Sequence, residues 1–121
     1  MNNNINHLLD QLSKTKFRGS FHLNSKMKDY VKEKGIGKIE KDAWEIVTKR
    51  LASANPINDG KQTPMKQVHP VFIAQHATGT CCRGCLEKIH HIKKGQELTT
   101  NKTKYIVNVI KTWILKEINR F

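Results

Sequence analysis

No run of apolar residues approaches the roughly 20 that a membrane-spanning helix needs. The start, MNNNINHLLD, has neither the basic cluster nor the apolar stretch of a secretory leader. Both absences predict a cytoplasmic chain with no membrane partner. Cysteine is scarce, and its three copies, Cys81, Cys82 and Cys85, crowd into five positions. An odd, clustered set makes a poor disulfide framework; in a reducing compartment it reads as metal-binding or redox-active. Acidic residues are few as well, 10 against 22 lysines and arginines, which leaves a formal charge of +12. Arginine accounts for little of this: Arg18, Arg50, Arg83 and Arg120 are the complete set.

Several enzyme signatures are missing. A nucleobase deaminase needs H-x-E followed by P-C-x-x-C, whereas His76 is followed by Ala77-Thr78. A zincin needs H-E-x-x-H, and nucleotide-binding loops need G-x-x-x-x-G-K-[ST] or G-x-G-x-x-G; the sequence has none of these. The usual second pair of a zinc finger is absent too.

What is present suits one domain of 121 residues, 37% of them hydrophobic. Residues 5–14 can form a short helix with Ile5, Leu8, Leu9 and Leu12 on one face. Lys14 to Ser20 is a basic connector. Asn24 or Ser25 can cap a helix reaching about Lys34, closed by Gly35 and Gly37. A third helix covers Ile39 to Leu51. Ser53 to Val68 breaks the periodicity with Pro56, Asp59-Gly60 and Pro64. Pro70 can open a helix or a buried strand over VFIAQH, which periodicity does not separate. Thr80 can cap a helix from Cys81 to about His90, and Thr99 or Thr100 a last one reaching nearly to Phe121. The expectation is a mainly α, compact domain of about five helices. Residues 1–16 form a short helix and connector, and 17–121 a single domain with a Cys/His-rich segment at 69–91.

That segment, HPVFIAQHATGTCCRGCLEKIHHI, carries the chemistry. One helical turn brings the thiols of a C-x-x-C together, so Cys82 and Cys85 can share an ion. His76 can fold back across the turn. His90 lies about 140° from Cys85 around an unbroken helix and joins only where that helix ends early. The expected ligands are therefore Cys82, Cys85, His76 and His90, with zinc favoured by mixed thiolate and imidazole donors and an iron–sulfur cluster second. Two other readings stand beside it. Cys82 at a helix N-terminus next to Arg83 would be a lowered-pKa thiol for redox work, or the cysteines are small buried hydrophobes. His7 and His22 have no metal partners in sequence.

The loop NDGKQTPMK offers Lys61, Gln62 and Thr63 as donors to a phosphate. Pro64 and Pro70 stiffen the short path from it to the cysteines. One shared pocket of Lys61, Gln62, Thr63, Arg83 and His69 beside the metal would suit a phosphate or carboxylate. The alternative is a loop that only wraps the core.

FRGSFHL (17–23), NDGKQTPM (58–65), HPVFIAQHATGTCCRGCLEKIH (69–90) and YIVNVIKTWI (105–114) resemble a compact bacterial and phage family, domain of unknown function 4186. The likeness runs from Phe17 to Ile118. The family usually reads CLEKWHGI where this chain has Ile89 for the tryptophan and His91 for the glycine. The resemblance implies one fold and one site, and names no reaction.

The charge is uneven: residues 1–60 carry 11 basic and 7 acidic groups, and residues 61–121 carry 11 and 3. An AT-rich coding sequence would also enrich lysine, but the excess falls in the half with the cysteines. The resulting expectation is a zinc-binding helical module that presents a basic face to nucleic acid or a nucleotide. The competing class is a metal-dependent hydrolase or nuclease, its metal on Cys82, Cys85 and His76 and its acid/base His69 or His90. A third is a phage-type inhibitor that sequesters a host nucleotide or protein.

Overall fold

A computed structural model describes residues 2–119, with side chains from residue 4. Six α-helices appear in the order α1 (Asn2–Ser13), α2 (Ser25–Lys34), α3 (Ile36–Arg50), α4 (Pro70–Thr78), α5 (Arg83–His90) and α6 (Thr100–Ile118). A 3₁₀ turn, Arg18–Ser20, interrupts the basic connector. No strand occurs among the described residues, so VFIAQH resolves as helix.

Local chemistry explains the boundaries. The Asn24 side chain accepts a hydrogen bond from the Met27 N–H and caps α2. Gly35, at φ 83°, ends it. Gly37 lies inside α3 and ends nothing, because the chain re-enters a helix at Ile36. Thr99 caps α6 through the Lys102 N–H. The cap of α5 is Cys82 rather than Thr80; the Thr80 hydroxyl is buried against that of Thr78. No helix of the described residues is long and apolar enough to cross a membrane.

The core forms around α4, whose nine residues are all buried. Helix α6 packs along it and along α3. Val71, Ile73 and Ala74 of α4 meet Ile106, Val107, Ile110 and Ile114 of α6 and Ile39, Ala43 and Val47 of α3. A helix buried all round has no polar stripe, and that is why its period was unreadable in sequence. Ile5 and Leu9 of α1 close a second cluster with Val109 of α6, flanked by Tyr105 and Trp113. Glu117, 4% exposed, accepts from the Leu23 N–H and lies 3.0 Å from His22 Nδ1, which fixes the segment just before α2 to the end of α6.

Helix α5 closes on His91, whose φ of 59° is left-handed. Glycine adopts that conformation at helix ends without the steric conflict a Cβ brings. His91→Gly is therefore expected to raise stability by about 0.5–1 kcal/mol, read as an upward shift in thermal midpoint. An unchanged or lowered midpoint would contradict this account of the α5 terminus.

Candidate metal centre

The turn from α4 to α5 decides where the thiols stand. Gly79, at φ 71°, reverses the chain after α4, and the Ile89 side chain packs where a Cβ at this glycine would be. Cys81 and Cys82 follow in a bend ahead of α5, Cys82 with extended backbone, and Cys82 Sγ accepts from the Cys85 N–H at 3.4 Å. This N-cap turn brings Cys81, Cys82 and Cys85 together, their sulfurs all within 4.8 Å of one another. Three sulfurs at that spacing can hold one metal ion. Among the described residues the group contains no histidine. Cys81 is buried, while Cys82 and Cys85 are partly exposed and so reachable from solvent.

A cation comes from far away in sequence. Arg18 donates to Cys85 Sγ at 3.1 Å, to Cys81 Sγ at 3.6 Å and to the His76 carbonyl at 2.7 Å. A hydrogen bond from Cys85 brings the Cys81 thiol down to about 7 despite burial, with Arg18 adding to the effect. The same contact with Cys81, together with burial, pushes the Cys85 thiol up. Burial also raises Cys82. The lowered thiol is thus Cys81 and not Cys82, as the redox reading of the sequence had it. Burial is the main reason at Cys82, and Arg83 beside it spends its guanidinium on backbone carbonyls instead of on the thiol.

Arg83 is 1% exposed. Its Nη1 donates to the carbonyls of Leu51 and Ser53, and its Nη2 to those of Lys93 and Gln96. The guanidinium ties two loops to α5 and leaves no Nη donor facing a ligand. Its backbone N–H donates to Asp59 Oδ1 at 3.0 Å, placing a carboxylate at the start of α5.

The histidines of the sequence pattern are placed differently from the thiols. His76 Nε2 lies 3.0 Å from the Thr63 carbonyl and 3.2 Å from that of Pro64, and the ring stacks on Phe21. His90 Nε2 donates to the Thr78 carbonyl at 2.8 Å, so Nδ1 of the neutral ring accepts from the Tyr105 hydroxyl at 2.9 Å. His69 caps α4, its Nδ1 accepting from the Val71 N–H. That leaves His69 Nε2–H to donate to Asp42, which Lys38 also holds. Burial alone would raise the Asp42 carboxyl, but the bonds from Lys38 and His69 outweigh it and keep it low.

The 58–65 loop does meet the cysteine segment. The Thr63 hydroxyl donates to the Cys81 carbonyl at 2.8 Å. Gln62 bonds within its own loop, to Asp59 and to the Gly60 N–H. Lys61 is exposed. Two residues carry the site without having been picked from sequence. Cys81 stood outside the C-x-x-C spacing, and Arg18 stood in a stretch read as a connector. The FRGSFHL motif was the signal for the second.

Arg83→Lys should be strongly destabilising. One ammonium cannot span four carbonyls on two loops, and each buried acceptor left unpaired costs about 1–3 kcal/mol. A drop of about 3 kcal/mol or more in denaturant unfolding is expected; a loss under about 1 kcal/mol would show that the carbonyls find other donors. Burial lowers the pKa of His90, against the Thr78 carbonyl, which raises it. Protons then bind the unfolded chain more readily, so stability falls as pH drops below the ordinary histidine value of about 6.5. His90→Gln should flatten that limb of a midpoint-against-pH curve, and an equally steep limb in the variant would assign it elsewhere.

Among known proteins, no solved structure matches the chain. The family model described as "Domain of unknown function (DUF4186)" matches residues 6–115, which takes in α2 to α5 entire, most of α1 and α6, and all three cysteines. The chain belongs to the DUF4186 family.

Proposed function

We propose that the protein is a small zinc-binding helical module whose three thiolates hold the ion and whose basic surface faces an anionic partner, most naturally nucleic acid or a nucleotide. The observation that carries this is the sulfur cluster itself: Cys81, Cys82 and Cys85 within 4.8 Å, with Arg18 hydrogen-bonded to two of them. A zinc ion bound to three thiolates keeps one negative charge, and the adjacent guanidinium offsets it. Soft sulfur donors favour zinc over the hard cations. Lys61, Lys66, Lys88, Lys93 and Lys94 are exposed in the segments that flank the cluster, against Asp59, Glu87 and Glu97. Such a surface draws anions by charge rather than by reading bases.

A module is favoured over a hydrolase because the acid/base candidates are occupied. Both ring nitrogens of His69 and of His90 are hydrogen-bonded within the fold. Three thiolates also reduce the ion's pull on a bound water.

Protein purified without a histidine tag should contain about one zinc per chain, and chelator should lower its thermal midpoint. Cys85→Ser should lose the metal and the chelator response together. Native protein free of metal, with a midpoint indifferent to both zinc and chelator, would overturn this reading.

A further inference from the structure

We propose that the fourth ligand of the metal is a thiolate supplied from outside the described chain, by a small thiol or by the cysteine of another polypeptide. This rests on the three-thiolate reading above. A tetrahedral ion takes four ligands, and the neighbouring side chains that might complete the set are engaged elsewhere. His76 faces the Thr63 and Pro64 carbonyls. His90 is held between Thr78 and Tyr105. Asp59 accepts from the Arg83 N–H and from Gln62, and Glu87 accepts from the Lys94 N–H. Among the described residues, then, the cluster ends at three sulfurs.

The chemistry of the site selects the class. Three thiolates give the ion so much electron density that an oxygen anion gains little by joining it, whereas another sulfur matches its softness. The surrounding charge admits one more anion. Arg18 stands against Cys81 and Cys85. Lys94 Nζ and Cys82 Sγ lie 3.8 and 3.9 Å from the point that a Gly84 Cβ would occupy, so Lys94 stands near Cys82. Two cations therefore stand near a centre that would carry a single negative charge, and the neighbouring acid Asp59 is bonded to the Arg83 N–H. Approach is from the partly exposed Cys82 and Cys85. A cleft of about 270 Å³, lined by Asn55, Pro56, Asp59, Arg83, Lys94 and Gly95 among others, has in its wall the Lys94 that stands near Cys82. As the metal–sulfur bond forms, the incoming thiol gives its proton to solvent and the water that would otherwise hold the fourth position leaves; nothing is oxidised or reduced.

The full chain, kept reduced with a phosphine and loaded with cobalt(II), tests this through its sulfur-to-metal charge-transfer absorption, which grows with each bound thiolate. Normalised to bound cobalt, the protein alone should show three-thiolate intensity. Titration with 2-mercaptoethanol should raise it, saturably, to the four-thiolate level, and inorganic phosphate should not. A cysteine-containing peptide forms the second arm: a rise at much lower concentration than 2-mercaptoethanol assigns the thiolate to a polypeptide, and the reverse order assigns it to a small thiol. Four-thiolate intensity that grows with protein concentration alone assigns it to a second copy of the chain. Lys94→Gln should weaken binding of the added thiol severalfold. Intensity fixed at three thiolates in every arm, or a thiol affinity unchanged in Lys94→Gln, overturns the proposal. Absence of any charge-transfer band overturns instead the metal reading beneath it.

Discussion

A guanidinium buried with no carboxylate partner among the described residues organises the centre of this molecule. Arg83 keeps its charge inside the fold by spending its two Nη groups on four backbone carbonyls, at Leu51, Ser53, Lys93 and Gln96. Burial of an arginine is costly unless its donors are matched, so both loops are obliged to present their carbonyls to one point. Because Arg83 lies between Cys82 and Cys85, the thiols inherit that rigidity. The backbone leading into Arg83 is held as well, by Asp59 at its own N–H and by Thr63 at the Cys81 carbonyl. A cluster fixed in this way meets an ion with little ordering left to do.

The two arginines of the site divide the labour. Arg83 turns inward and settles geometry; Arg18 turns to the sulfurs and settles charge. Neither is interchangeable with lysine, since each spreads its donors over several acceptors in a plane. The half-buried Arg18 is itself stacked at 5.1 Å on Phe17, and Phe17 meets Phe21, which in turn covers His76. The aromatic residues of the FRGSFHL stretch thus form a bracket that delivers one cation to the thiols, and His76 is part of the bracket.

Much of the helical frame was legible because amphipathic stripes and caps leave local marks. Asn24, Gly35, Pro70 and Thr99 act at the boundaries read from them. The failures have physical causes. Helix α4 is buried on all sides, so no period distinguishes it from a strand. Gly37 resembles a terminator but lies in the first turn of α3, where a helix tolerates it. At the site, the C-x-x-C spacing pointed to Cys82 and Cys85, yet their neighbour Cys81 joins because the chain bends there, ahead of the first turn of α5, instead of being helical. Spacing alone also gathered His76 and His90 to the thiols, and it could not see the carbonyls of Thr63, Pro64 and Thr78 that take up their ring nitrogens. Arg83 read as a ligand for an anion; its partners, 10 to 32 residues distant, are backbone groups with no sequence signature. The left-handed His91 marks a position where the family pattern carries glycine, and here the chain takes that conformation with a bulkier residue.

The span between Arg18 and Cys85 has a bearing on the order of assembly. The three cysteines are neighbours along the chain, whereas the guanidinium that joins them closes a separation of 67 residues. Closing a long loop is slow and entropically opposed until other contacts hold its ends. The sulfurs could therefore gather while the amino-terminal segment is still loose, with Arg18 closing over them as a late latch. On that sequence of events, an ion held there would be captured before the electrostatic shell is complete, and the shell would govern how readily it leaves again more than how quickly it enters.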